Sequence, residues 1–210
     1  GYGAVFLGIG CAEGAYLGLP DEDRTLKGYR NGIDFLLQCE KGVAVNNPPV
    51  FEGDVVVVGC GNVAMDCCRT AQRTATGKVH VVYRRTIKEA SADHEEIEAA
   101  EAEGVEFHFL TNPVAIVSEN GEVTGVRVTK MELTEPDARG RRGVKAVPGS
   151  EFVIPCKTLI AAIGQKLERN VFSEADGVQL DRRGNISVTE ALATSRPGVF
   201  AGGDCATGPT

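Results

Sequence analysis

The stretch Asp54-Val-Val-Val-Val-Gly-Cys-Gly-Asn-Val-Ala64 constrains this chain more than any other. Four consecutive valines show no polar alternation, so they do not suit a strand with one wet face. They fit a parallel strand covered on both faces. The run passes straight into glycines, and Gly59-x-Gly61-x-x-Ala64 matches G-x-G-x-x-A where that pattern carries meaning, after a strand and at the opening of a helix. In that setting Gly59 permits the tight turn and Gly61 lets the backbone approach a pyrophosphate. Ala64 allows close helix packing, and the amides of Asn62 and Val63 face the ligand at the helix start.

The flanking sequence predicts an α/β unit. A helix is expected from Asn62 to about Arg73, with Ala64, Cys67, Cys68 and Ala71 as a narrow stripe of small packing residues and Asp66 in its first turn. Residues 78–85, KVHVVYRR, read as a second strand. SADHEEIEAAEAEGV reads as a helix capped by Ser91 or Asp93 and stopped at Gly104, and VEFHFL as a third strand. AIVSENGEVTGVRVTKMEL predicts a hairpin turning at Asn120-Gly121. Residues 135–149 read as an exposed loop, and EFVIPCKTLIAAIG as a return to strand. VFLGIG, inside a buried-looking strand over 4–9, and TLIAAIG form a weak internal repeat. The order is that of a Rossmann-like nucleotide-binding unit with an antiparallel flap.

About twenty residues beyond the glycines, an NAD-binding fold places an acid on the ribose hydroxyls. This chain has Tyr83-Arg84-Arg85 there. Two guanidiniums suit the 2′-phosphate of NADPH, so NADPH is preferred over NADH. The competing expectation is that Arg84 and Arg85 pair with Glu95 and Glu96.

Other functions are disfavoured. A net charge of −7 leaves no basic face for nucleic acid. No apolar run approaches the roughly 20 residues of a membrane span, and the start lacks a signal-peptide pattern. Seven cysteines without a C-x-x-C pair argue against a disulfide framework or zinc site, and predict reduced thiols in a cytoplasmic protein, with Cys67 and Cys68 in the core. His80 and His108 fall within strands and His94 within an acidic helix, with no second ligand at metal spacing, so no metal site is expected. No Ser/His/Asp arrangement is visible.

GCGNVAMDCCR together with VVYRR resembles the pyridine-nucleotide half of the glutamate synthase small (beta) subunit family of FAD and NAD(P)H oxidoreductases, where a G-x-G-N-x-A-x-D-x-x-R helix is typical. TSRPGVFAGGD resembles that family's C-terminal flavin motif, and AIGQ the strand end before it. The similarity runs from about Val5 to Gly208, with the motifs in the family's order. It implies a two-dinucleotide-binding-domain flavoprotein with a split FAD domain. Residues 1–52 would be crossover and part of the FAD domain, 53–163 the NAD(P)H domain, and 164–210 the FAD return. Both Ile-Gly strands would be crossovers. Gly164, Gly203 and Asp204 would line the flavin site, with Asp204 accepting hydrogen bonds from the ribityl chain. The implied reaction is hydride transfer between NADPH (or NADH) and FAD, with no catalytic acid or base, and with electrons passing to an iron–sulfur or ferredoxin-like partner. The family's first flavin fingerprint is absent from these residues, so an excised or truncated piece, inactive alone, is expected.

Two departures limit the resemblance. Cys156-Lys157 stands where relatives commonly carry an acid, and EASADHEE is a loose version of their EMPA stretch, leaving a role for Glu95 or Glu96 open. Thioredoxin reductases share the plan but carry a C-x-x-C, so dithiol exchange is not expected. A ferredoxin-NADP reductase of the adrenodoxin reductase type and a non-catalytic nucleotide-binding module are the alternatives.

Overall fold

The computed structural model describes residues 1–136 and 142–209. In chain order its elements are β1 (Val5–Leu7), β2 (Glu13–Gly14), β3 (Tyr29–Asn31), α1 (Gly32–Ala44), β4 (Val55–Val58), α2 (Asn62–Thr74), β5 (Val79–Val82), α3 (His94–Ala102) and β6 (Glu106–His108). There follow β7 (Thr111–Glu119), β8 (Glu122–Pro136), β9 (Arg142–Ala146), β10 (Phe152–Pro155), β11 (Thr158–Ala161), β12 (Gln165–Lys166), β13 (Val199–Ala201) and α4 (Asp204–Thr207). The chain divides into two compact units, Tyr16–Ile163 and Gly1–Ala15 with Gly164–Thr210.

In the Tyr16–Ile163 unit β3, β11, β4, β5 and β6 form an all-parallel sheet in that order. The four valines of β4 are all buried. Val55 and Val57 pack with Phe35 of α1, Cys67 and Ala71 of α2 and Ile97 of α3. Val56 and Val58 pack on the opposite face with Val123, Val126 and Val128 of β8 and Ile154 of β10. Alternate residues of a strand point to opposite faces, so a strand covered on both sides carries no polar alternation. The layers are therefore helices, parallel sheet and antiparallel flap.

α2 extends one residue past the expected end, with Ala64, Cys67, Cys68 and Ala71 fully buried. Asp66 is the fifth residue of α2, beyond the first turn, so it does not serve the dipole as expected. α3 is capped at Asp93 rather than Ser91, though without a side-chain cap bond, and Gly104 follows it with φ 98°. The hairpin turns where expected: Asn120 and Gly121 have φ of 52° and 78°, the signs of a type I′ turn.

Four expectations change. Residues 135–136 and 142–146 are strand rather than loop: β8 runs to Pro136, and Arg142–Ala146 pairs antiparallel with it, Met131 opposite Ala146. Its side chains are largely exposed, so edge strand and loop share one polar composition here. Residues 137–141 lie outside the described residues. The stretch from Glu151 to Gly164 is two strands, β10 antiparallel on β8 and β11 inside the parallel sheet. β3 and α1, unread in the sequence, join the compact unit that carries the glycines, Tyr16–Ile163. β1 is not buried, for Val5 and Phe6 are exposed.

In the other unit β1 pairs parallel with β13, and β2 antiparallel with β12. Cys11, Leu167, Ile186, Ala201 and Cys205 form its small core. The two halves of the weak repeat thus lie in different units, β1 in a two-stranded pair and β11 in the five-stranded sheet.

Candidate functional site

β4 and β5 are neighbouring parallel strands that end in register, Val58 beside Val82. The glycine turn leaves β4 at that edge, held by the Gly59 amide donating to the Val82 carbonyl at 3.0 Å. Gly59 has φ 130°, and a Cβ on it would stand 2.1 Å from the Ala162 carbonyl oxygen, so the tight turn demands glycine. Gly61 is the N-cap of α2 in extended conformation, and no side chain caps the helix. Its carbonyl accepts from the amides of Ala64 and Met65. Among the described residues the amides of Asn62 and Val63 have no hydrogen-bond acceptor, which leaves two donors at the positive end of a 13-residue helix.

A contact the sequence did not reveal closes the other side of the turn. The amides of Ser91 and Ala92 both donate to the Cys60 carbonyl, at 3.1 and 3.2 Å. A Cβ on Gly61 would lie 2.9 Å from Ser91 Oγ. The EASADHEE segment therefore covers the glycine turn with its Ser91-Ala92 pair. Glu95 is exposed, and Glu96 is half-buried with Oε2 lacking a partner among the described residues.

Arg84 and Arg85 do not extend β5 but form a bend beyond Val82, at the same carboxyl edge of the sheet. The bend is pinned on both sides. The Tyr83 amide donates to the His108 carbonyl, the Arg85 carbonyl accepts from Leu110, and the Tyr83 hydroxyl donates to the Glu89 carbonyl at 2.6 Å. Glu89 in turn accepts from both the amide and hydroxyl of Thr86, which holds its carboxyl below the usual range. Arg84 is exposed and Arg85 half-buried, and Arg85 Nε is a buried donor without an acceptor. Among the described residues neither arginine pairs with Glu95 or Glu96.

In the second unit Gly164 and Gly203 have φ of 129° and 73°, and a Cβ on either would meet nothing within 4 Å. Asp204 opens α4 and is exposed; its carbonyl accepts from Cys11 Sγ and from the Gly208 amide. Among the described residues no group bonds its carboxylate.

All seven cysteines are free and buried. Burial pushes the Cys60 thiol up to about 11 and Cys68 up to about 12, and raises Cys67 further, so these thiols are protonated at neutral pH. A groove of about 600 Å³ lies elsewhere, between α1 and α2, lined by Leu36, Cys39, Pro49, Asp66 and Thr70 among others. It includes none of the residues of the glycine turn or arginine bend. His80 and His108, 28 residues apart, come together with Glu106 through the pairing of β5 with β6. Sequence spacing does not show that meeting.

The family model described as pyridine nucleotide-disulphide oxidoreductase matches residues 1–210. The chain is 45% identical over 210 residues to the "NADP(+)-dependent formate dehydrogenase subunit beta" of Moorella thermoacetica, a match covering 99% of this chain and 29% of that protein. It is 38% identical over 219 residues to the "Glutamate synthase [NADPH] small chain" of Escherichia coli (strain K12), covering 99% of this chain and 46% of the other. The chain thus spans less than half the length of either relative. The solved structure of Mycobacterium tuberculosis FprA in complex with NADPH superposes with a TM-score of 0.79 at 20% identity, covering all of this chain and 59% of that one. That likeness establishes the fold, a Rossmann-like α/β architecture.

Proposed function

The chain belongs to the pyridine nucleotide-disulphide oxidoreductase family, and from that premise we propose that it is the NADPH-binding part, with flanking segments of the FAD-binding part, of a flavin oxidoreductase resembling the glutamate synthase small chain. The observation that carries this reading is the common edge of β4 and β5, where the glycine turn and the arginine bend leave adjacent parallel strands. Ligands of open α/β sheets bind at the carboxyl ends of the strands. Two features of the chain fit a dinucleotide there: the uncapped amides of Asn62 and Val63, and the buried Nε of Arg85 without an acceptor.

Gly59, Gly61, Asn62, Val63 and Ala64 would hold the pyrophosphate, with amide donors and the helix dipole opposing its charge. Arg84 and Arg85 would hold the 2′-phosphate, by paired charge-assisted hydrogen bonds that a 2′-hydroxyl does not repay. Gly164, Gly203 and Asp204 would contribute to the flavin site, the glycines by leaving open space where a side chain would stand and Asp204 by a free exposed carboxylate. When bound, the nicotinamide supplies a hydride and the flavin receives it. The protein's part is orientation and electrostatics, so no residue of the chain is assigned as a catalytic acid or base. Domain roles follow from the same reading: Tyr16–Ile163 for NADPH, the remainder for FAD. The electron partner would be an iron–sulfur or ferredoxin-like protein.

Calorimetric titration with NADPH and NADH at matched salt tests the assignment. Arg84→Ala combined with Arg85→Ala should weaken NADPH binding by about 1–3 kcal/mol and leave NADH nearly unchanged. Equal losses for both nucleotides would remove the 2′-phosphate role.

A further inference from the structure

On the flap-side face of the sheet, β5 and β6 bring His80, Glu106 and His108 into one cluster. Val79 and Val81 of β5 belong to the helix-side core, and Val82 to the flap-side core. His80 therefore points to the flap side, and Glu106, its partner in register, with His108 two residues on, shares that face. His80 Nδ1 lies 3.1 Å from His108 Nε2 and 3.3 Å from Glu106 Oε2. The three ligand atoms all lie within 4.8 Å of one another. One ring nitrogen thus faces two other lone-pair donors, and a single proton on it can serve them only by being shared between them.

We propose that His80, Glu106 and His108 form a binding site for one divalent first-row transition ion, Zn²⁺ by preference, that ties β5 to β6. Two imidazoles and a carboxylate are an N₂O donor set suited to Zn²⁺, Fe²⁺ or Ni²⁺ and poorly suited to Mg²⁺ or Ca²⁺. Ligand atoms about 2.05 Å from zinc at tetrahedral angles stand roughly 3.3 Å apart, and the two separations from His80 Nδ1 match that spacing without rearrangement. The carboxylate is already oriented: Lys78 Nζ holds Oε1 at 2.6 Å, which leaves Oε2 for the ion. The other nearby cation, Lys130, has its ammonium over the Phe152 ring. Burial first, then His80 and Lys130, hold the His108 imidazole below its ordinary pKa. His80 is 10% exposed and Glu106 45%, so an ion enters from the Glu106 side, where a fourth position stays open to water.

The test is a Zn²⁺ titration of the intact protein against a chromogenic chelator, with wild type, Glu106→Gln and His108→Ala in parallel under reducing conditions. Wild type should bind one more equivalent of Zn²⁺ than the variants, or bind that equivalent roughly tenfold or more tightly. Its melting temperature should rise on saturation while that of His108→Ala does not. Co²⁺ serves as a spectroscopic probe: a d–d spectrum without a thiolate charge-transfer band is expected. Equal stoichiometry and affinity in all three proteins overturns the proposal, and so does a thiolate band, which would move the ion to cysteine. Both variants sit at partly exposed positions, and circular dichroism checks that they fold.

Discussion

A Cβ on Gly59 would stand 2.1 Å from the Ala162 carbonyl oxygen, and φ there is 130°. On Gly61 it would meet only Ser91 Oγ, at 2.9 Å, from ordinary extended backbone. The first glycine is required by the fold; the second, on the proposed function, serves the ligand. Gly59→Ala should therefore cost about 2 kcal/mol or more of stability, from left-handed strain plus a backbone clash. Gly61→Ala should cost about 1 kcal/mol or less, because the Ser91 side chain can turn away. It should nonetheless weaken NADPH binding roughly tenfold or more, about 1.4 kcal/mol, by filling the space the pyrophosphate approaches. Urea unfolding and calorimetry on the two variants separate these outcomes. Retained NADPH affinity in Gly61→Ala would reduce that position to a turn residue. The glycine turn and the arginine pair were visible as local patterns, a strand running into glycines and two consecutive arginines after a second strand, and the pairing of β4 with β5 brings them to one edge. Ser91 over Gly61 and the meeting of His80 with His108 were not visible, since each depends on which strand lies beside which.

α1 shows why some elements escaped the sequence. Its cap is Asn31, whose Oδ1 accepts from the Asp34 amide at 2.9 Å and whose Nδ2 donates to Asp34 Oδ2 at 2.7 Å. An Asn three residues before an acid is a usable start signal, but Gly32 opens the helix, and apolar Phe35-Leu36-Leu37 blurs the helical period. By contrast β4 with α2, and the Asn120-Gly121 hairpin, announce themselves by unbroken valines and by the turn residues a type I′ geometry demands. β9 hid because an exposed edge strand has no apolar face to betray it. Since Asn31 is buried and bonds Asp34 twice, Asn31→Ala removes the cap and strands the Asp34 amide. The urea midpoint should fall by an amount equal to about 1–2 kcal/mol with the slope unchanged. An unchanged midpoint would mean the cap contributes nothing to holding α1 on the sheet.

Over the whole chain the buried thiols set an upper pH limit on stability. Burial raises six of them, Cys11, Cys39, Cys60, Cys67, Cys68 and Cys156, above the ordinary 9.0, with Cys60 at about 11 and Cys68 and Cys156 at about 12. Five of the six lie in the Tyr16–Ile163 unit. A folded pKa raised above the unfolded value means that the unfolded chain holds fewer protons once pH exceeds 9. The stability these groups contribute is then complete below 9 and is lost as pH climbs toward the folded values. Each thiol that stays protonated only in the fold adds a slope of about −1.4 kcal/mol per pH unit. In reductant the urea midpoint should hold steady from about pH 7 to 8 and then fall steeply between about 9 and 10, below the range where lysine and tyrosine losses dominate. Cys156→Ala should make that slope shallower whatever it costs at neutral pH, because one proton fewer is released. A midpoint flat to pH 10 would mean that the thiols are already open to water in the native state, and the dry helix-side and flap-side cores described above would be wrong with it.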